Sequence, residues 1–215
     1  GGIVAVCRSY KTVKKIDQHK GANIVVTLTV DDLERDLPKV MQIIDKNRRI
    51  LYQREIGADF VGNISGSFQL DNDPIEARCY ANLICNFLYN SNKLDANKKY
   101  SLNLALYELL INAIEHGNCG ITYEEKSAWL DNGGYIEDLI RERTGDGNIK
   151  GETVTFEYAL TPGSASFLIA DQGEGFDWRG LRDCTDEENM MELHGRGVLM
   201  TKNMVHNLTD RKSVV

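Results

Sequence analysis

The sequence predicts an α/β fold. β-Branched runs at residues 3–6 and 24–30 flank a polar helical segment at residues 10–19, which is the order of a β-α-β unit. Further along, residues 154–160 and 165–170 alternate in polarity on either side of a Thr-Pro-Gly-Ser turn, so we expect an antiparallel hairpin there. A chain of 215 residues, 42% of them apolar, is long enough to bury a sizeable core.

Composition excludes several classes of protein. No run of about 18 apolar residues is present, so no membrane-spanning helix is expected, and 3 prolines among 19 glycines do not form a collagen-like or proline-rich pattern. The formal net charge of −7 argues against direct nucleic-acid binding through phosphate neutralisation. The five cysteines form no Cys-X-X-Cys pair and no export signal is visible, so we expect reduced thiols and a cytoplasmic protein.

Residues 1–60 form the first predicted unit, a smaller α/β regulatory segment. After the β-α-β pattern, Asp31 and Asp32 precede an apolar series at helical spacing, which predicts a helix continuing towards Gln53. So short a sheet cannot cover both of its faces, and we expect it to need further strands from elsewhere. The order of elements resembles part of a response-regulator receiver domain, although no phosphoacceptor aspartate pocket is recognisable.

Residues 61–215 form the second predicted unit. A loop at 57–67, which can include a short strand, is expected between the two units. The expected elements of the second unit are a strand at 67–70, a helix from Asp73-Pro74 to Asn86, a helix that Asp95 opens and Gly117 ends, a polar insertion at about 118–151 with an amphipathic helix at 136–143, the hairpin, and a last helix from Val198 to about Asn207.

Polar side chains line one side of the helix that Asp95 opens. Glu108, Asn112 and His116 are spaced four apart and project from nearly one stripe, with Glu115 beside it. Such a stripe is typical of a solvated helix face. Alternatively, the Asn112 amide oxygen ligates a hard cation such as Mg²⁺ while the Glu108 carboxylate polarises a hydroxyl or a water.

Two glycine clusters follow the hairpin. Asp171-Gln172-Gly173-Glu174-Gly175 comes at a strand end, where glycines allow close backbone approach and a carboxylate can accept from an exocyclic amine such as that of adenine. Gly195-Arg196-Gly197 opens a helix and presents free N–H groups to an anion. Each cluster alone is equally compatible with an ordinary turn.

The three clusters together, in this order, resemble the ATP-binding core of the GHKL superfamily. Residues 108–117 (ELLINAIEHG) are similar to its N-box, residues 171–175 to its first glycine box and residues 195–197 to its second. Residues 112–117 (NAIEHG) are most similar to the corresponding motif of the bacterial anti-sigma-factor serine/threonine kinases of the partner-switching type. The resemblance covers about residues 65–210 and implies a two-layer α/β sandwich of the histidine-kinase-like ATPase type.

The resemblance also implies roles for individual residues, with ATP and Mg²⁺ as cofactors. Glu108 is the expected general base, Asn112 the Mg²⁺ ligand, and Asp171 the residue that recognises adenine. His116 either contacts the nucleotide or satisfies a neighbouring carbonyl. The glycines expected to shape the nucleotide pocket or to admit the phosphates are Gly173, Gly175, Gly195 and Gly197, and the ATP lid is expected at 176–194.

The expected function is that of an ATP-dependent protein serine/threonine kinase and anti-sigma regulatory factor. Its expected partners are a sigma factor and an antagonist protein that it phosphorylates, and a homodimer is implied. Several such kinases carry a basic residue just before the second glycine box, where this chain has Leu193 and His194, and Arg196 is the candidate substitute. Two alternatives remain: the ATP domain of a sensor histidine kinase, for which His19 is the upstream phosphoacceptor candidate, and a nucleotide-gated binding module without phosphoryl transfer.

Overall fold

The computed structural model describes residues 2–17, 23–48, 63–145, 151–173, 201–202 and 204–209. Within these residues the chain has a mixed α/β fold, which confirms the predicted class. Its elements are β1 (Ile3–Cys7), α1 (Tyr10–Asp17), β2 (Ile24–Thr29), α2 (Leu33–Lys46), β3 (Ile64–Leu70), α3 (Pro74–Asn90), α4 (Ala96–Asn112), a π-helix (Ala113–Asn118), α5 (Tyr123–Asp131), α6 (Ile136–Gly145), β4 (Val154–Leu160) and β5 (Ala165–Ala170).

The chain divides into two compact units. The first comprises Gly1–Gly66, Pro74–Tyr107 and Tyr158–Ser166, and the second comprises Ser67–Asp73, Glu108–Glu157 and Phe167–Val215. The first unit therefore draws on chain from both sides of the boundary predicted near residue 60. Residue 60 lies outside the described residues, and that boundary stays a prediction.

The first unit contains the predicted β-α-β arrangement. β1 and β2 pair in parallel, with Val4 opposite Val26 and Cys7 opposite Thr29, which confirms it. Within the described residues this sheet has two strands, and α3 packs against β2, as do α1 and α2. Further strands in this sheet stay a prediction, since part of the chain lies outside the described residues.

One buried side chain ties α3 to this sheet. Asn86 is 1% exposed, and its Nδ2 donates to the backbone oxygen of Ile24 at 2.9 Å. The helix continues to Asn90, beyond the predicted end at Asn86, because Phe87 and Leu88 add further buried apolar area.

Two other boundaries differ from expectation. α2 ends at Lys46, and residues from 49 onwards, towards the predicted end at Gln53, lie outside the described residues. The Nδ2 of Asn47 donates to the oxygen of Ile43 at 2.8 Å and so satisfies a carbonyl at the helix end. β3 begins at Ile64 within the predicted loop, because its alternating burial continues through Gly66.

The second sheet has the strand order β3-β4-β5. The bounds of β4 and β5 match the predicted hairpin, and the four residues between them require the strands to run antiparallel. Phe156 is fully buried, with its ring centroid 5.9 Å from that of Phe68 and 6.1 Å from that of Phe167. These rings line one face of the sheet and form an aromatic core for the second unit.

The described cysteines, Cys7, Cys79, Cys85 and Cys119, are buried. Burial raises the pKa of the Cys85 thiol to about 12 and that of Cys119 to about 11. These thiols are therefore protonated and unreactive at neutral pH, consistent with a packing role. Within the described part of the chain, no helix combines the length and apolar character needed to cross a bilayer.

Asp95 caps α4 as predicted, which gives a first test. Its Oδ1 accepts the backbone N–H groups of Lys98 at 2.8 Å and of Asn97 at 2.9 Å. These hydrogen bonds, that of Lys98 most of all, lower the pKa of the Asp95 carboxyl, while desolvation acts in the opposite direction. Asp95→Ala is expected to lower the melting temperature at pH 7, whereas Asp95→Asn, which also caps well, is expected to retain it.

The pH dependence follows from the sign of that shift. A lowered folded-state pKa contributes stability above the unfolded value of 3.8, and this contribution disappears as the pH falls through the lower folded value. Thermal melts of the wild type and of Asp95→Asn between pH 7 and pH 2 should show the wild type losing its ionic contribution. Identical pH profiles for the two proteins would contradict the cap.

Candidate functional site

The candidate site begins where α4 changes into a π-helix. α4 ends at Asn112 and the helical turns continue through Asn118, so Gly117 does not end the helix as predicted. The wider turn is visible in the bond from the N–H of Cys119 to the oxygen of Ile114, five residues back, at 2.8 Å. π-Turns within longer helices occur often at functional sites. The turn carries the second half of the N-box-like sequence.

Glu108 lies on α4, partly withdrawn from water. Burial raises the pKa of its carboxyl, the positive charge of Lys126 lowers it, and the negative charge of Glu115 raises it further. A desolvated carboxylate beside a second carboxylate is a stronger proton acceptor than an exposed one. Asn112, four residues later and half-buried, is the last residue of α4. The structure therefore places the expected base and the expected amide ligand on one helix, one turn apart.

Glu115 is a buried carboxylate that forms an ion pair with Lys126. Its side chain is 1% exposed, and its Oε2 pairs with the Nζ of Lys126. Lys126 lies on α5, in the segment predicted to be an insertion. Because an unpaired buried carboxylate costs several kcal/mol, the Lys126 partner stabilises Glu115 at this buried position.

Sequence reasoning missed both α5 and Lys126. The segment looked polar and patternless, and the hydrophobic periodicity of α5 is small. The signal that could have found it is the Thr122-X-X-Glu125 spacing of a capping box. In the structure the Thr122 hydroxyl accepts the N–H of Glu125 at 3.2 Å, and the Arg143 guanidinium of α6 pairs with the Glu125 carboxylate.

His116 satisfies a neighbouring carbonyl, as one of its two predicted roles requires. Its Nδ1 lies 2.6 Å from the oxygen of Ile121, and its Nε2 lies 3.9 Å from the Oε2 of Glu115. The ring therefore closes the loop that leaves the π-helix. Its side chain is 31% exposed, and contact with a nucleotide stays a prediction.

The end of the π-helix lies against the loop after β5. A Cβ placed on Gly117 would lie 2.3 Å from the Cγ of Asp171, and one placed on Gly173 would lie 2.3 Å from the backbone oxygen of Gly117. The Gly173 contact is with backbone, so that position requires glycine, whereas a side chain at Gly117 would have to displace the Asp171 side chain. The N–H of Gly173 also donates to the Oδ1 of Asp171 at 3.0 Å, which shapes the loop as an Asx turn.

A side-chain network holds the same two segments together. The Oδ1 of Asn118 accepts the N–H of Gln172 at 2.7 Å, and its Nδ2 donates to the Oδ1 of Asn72 at 2.7 Å. The Oε1 of Gln172 in turn accepts the N–H of Thr153 at 2.7 Å. Sequence reasoning missed Asn118 and Asn72 and assigned no role to Gln172 within the glycine cluster, because amides carry no signal until the fold brings them together.

The remaining predicted site residues, Gly175, Gly195, Arg196 and Gly197, lie outside the described residues, as does the predicted lid at 176–194. Within the described part, no group of three or more His, Cys, Asp or Glu side chains is arranged to hold a metal ion. A magnesium site at Asn112 would be of a different kind, with one amide oxygen and the remaining ligands from phosphates and water.

Comparison with known proteins found no matching family model, no matching curated protein and no matching solved structure.

The glycine contact can be tested by adding a methyl group. Gly173→Ala forces its Cβ onto the Gly117 backbone, and we expect a loss of about 1–3 kcal/mol, typical of overpacking. For a chain of this size the melting temperature should fall by roughly 2–4 °C for each kcal/mol. Gly163→Ala is the matched control, because its Cβ meets nothing within 4 Å. Equal melting temperatures for the two variants would contradict the close approach.

Proposed function

We propose that this chain is an ATP-dependent protein serine/threonine kinase of the GHKL type, similar to the anti-sigma-factor kinases of partner switching. The proposal includes the histidine-kinase-like two-layer sandwich, which is finer than the mixed α/β class described above. One observation supports it best. The end of the N-box-like helix and the first glycine-box-like loop, widely separated in sequence, lie so close together that a side chain at Gly173 would collide with the backbone of Gly117.

The chemistry of the described residues fits Mg²⁺ and an adenine nucleotide. The Asn112 oxygen is a hard, neutral ligand that leaves most positions of a magnesium ion to phosphates and water. The Asp171 carboxylate is exposed at the end of β5 and can accept from the amino group of adenine. When bound, Mg-ATP supplies the transferable phosphoryl group together with the charge neutralisation that such a transfer requires.

The role of Glu108 follows from its surroundings. Its carboxylate orients the acceptor serine hydroxyl of the substrate protein and accepts its proton, for which a raised pKa improves its strength as a base. Lys126 limits that rise, because its charge favours the ionised carboxylate. Catalysis of this kind depends mainly on positioning and electrostatics. The proposed partners are a sigma factor and an antagonist protein.

Glu108→Gln separates phosphoryl transfer from nucleotide binding. Removing the base is expected to lower label transfer from radiolabelled ATP to a captured antagonist protein by about 100-fold or more. Binding of ATP, measured by calorimetry, should be retained. Glu157→Gln, on an exposed residue of β4, is the matched control. Unchanged transfer in Glu108→Gln would refute the assignment of the base, and absent transfer with retained ATP binding in the wild type would favour the nucleotide-gated module.

The same variant makes a prediction about stability. Because burial raises the pKa of Glu108, its ionised form is disfavoured by folding at pH values above that raised pKa. Glu108→Gln is therefore expected to melt at or above the wild-type temperature at pH 8. The difference should vanish below the unfolded value of 4.5, where both states are protonated. A destabilised variant at pH 8 would contradict the desolvation of Glu108.

Asn112→Ala is expected to remove the magnesium dependence of nucleotide binding. In the wild type, calorimetry should show ATP binding about tenfold tighter with Mg²⁺ than with a chelator, a difference of about 1.4 kcal/mol. The variant should bind equally under both conditions, and Asn112→Asp should restore the dependence because it keeps an oxygen ligand. A retained magnesium effect in Asn112→Ala would place the ion elsewhere.

A further inference from the structure

We propose that Asn118 is a positioning residue that fixes the Asp171–Gly173 loop for recognition of the adenine base. This inference rests on the proposed function and deepens it. Asn118 lies at the end of the π-helix, outside the residues that the family resemblance singled out. Its side chain joins the N-box-like helix to the glycine-box-like loop.

The amide of Asn118 has one orientation that the network permits. The residue is 5% exposed, its Oδ1 accepts from the N–H of Gln172, and its Nδ2 donates to the Oδ1 of Asn72. Asn72 cannot be turned over to serve as donor instead, because its own Nδ2 donates to the oxygen of Glu152 at 3.0 Å. The donor and acceptor of Asn118 are thus both assigned by their partners.

Gln172 transmits this restraint to its two neighbours. Its backbone N–H is held by Asn118, and its side-chain oxygen accepts from the N–H of Thr153 at 2.7 Å. Asp171 and Gly173 flank it directly and are joined by the Asx turn. The backbone of all three residues is therefore fixed by groups on the π-helix and on the start of β4.

Asp171 and Asn118 differ in exposure, which assigns contact with the ligand to Asp171 and support of the loop to Asn118. Asp171 is exposed and available to a ligand, whereas Asn118 is buried beneath the loop. A carboxylate that recognises an amine has to be held within about 0.5 Å of its productive position by a supporting shell. Loss of Asn118 should accordingly affect the interaction with the base and leave interactions with the phosphates in place.

Base discrimination provides the test. The affinities of Mg-ATP and of Mg-GTP would be measured by calorimetry for wild type, Asn118→Ala and Asn118→Asp. Asn103→Ala is the matched control, since Asn103 also donates to an asparagine side chain, the Oδ1 of Asn82 at 3.0 Å, but belongs to the first unit. Hydrogen exchange of residues 171–173 is followed without nucleotide in the same proteins.

We expect Asn118→Ala to bind ATP about tenfold more weakly with little change for GTP, and to exchange the N–H of Gln172 faster. Asn118→Asp keeps the acceptor for that N–H and should exchange it more slowly than Asn118→Ala does, although its carboxylate faces the Oδ1 of Asn72, while Asn103→Ala should match wild type. Unchanged exchange in Asn118→Ala would overturn the restraint on the loop. Faster exchange with an unchanged ATP-to-GTP ratio would overturn the role in base recognition.

The two proposals fail in different ways. If the wild type binds neither nucleotide, the proposed function fails and the recognition role fails with it, while exchange alone still decides whether Asn118 restrains the loop. If wild type binds ATP and the variants behave as the control does, only the role of Asn118 is wrong. Should Asn118→Ala not fold, Asn118→Asp is judged by the same criteria with a smaller expected loss.

Discussion

The candidate site depends on one close approach, that of the Gly117 backbone to Asp171 and Gly173. Hydrophobic burial places a helix or a sheet only to within the tolerance of side-chain packing, whereas a contact that admits no Cβ fixes a separation to a few tenths of an ångström. The adjoining amide network then fixes the register of the two segments. Steric exclusion and directed hydrogen bonds thus act on the same few residues, which lets side chains from distant parts of the chain keep a constant geometry.

The electrostatics of the site contain an opposing pair of effects. Burial and the nearby charge of Glu115 raise the pKa of the Glu108 carboxyl, and the Lys126 charge offsets part of that rise. A buried ion pair contributes little net stability compared with apolar residues of the same volume. Lys126 connects the two carboxylates electrostatically, because it pairs with Glu115 and its charge lowers the pKa of Glu108.

The sequence predicted those parts of the fold that are determined locally. Asp95 caps its helix because the carboxylate and the two amides that it accepts are within three residues, and the 154–170 hairpin is specified by alternation and a short turn. Two features depend on tertiary contacts and cannot be predicted from a local pattern: the π-turn at Ala113 and the packing of α3 against β2. Lys126 belongs to the same class, because its importance comes from a partner eleven residues earlier on another helix.

The hydrogen bonds around the Asp171–Gly173 loop exceed those that an ordinary turn contains. An ordinary DQG turn needs only the Asx bond between Asp171 and Gly173, which is satisfied within the loop. It does not need a buried asparagine below it, nor a chain of amides from Asn72 through Asn118 to Gln172. Buried polar groups of this kind are tolerated only when every partner is supplied, so they impose demands on several sequence positions at once. The placement of the Asp171–Gly173 loop therefore depends on residues from three separate parts of the chain, which a turn that only reverses the chain does not require.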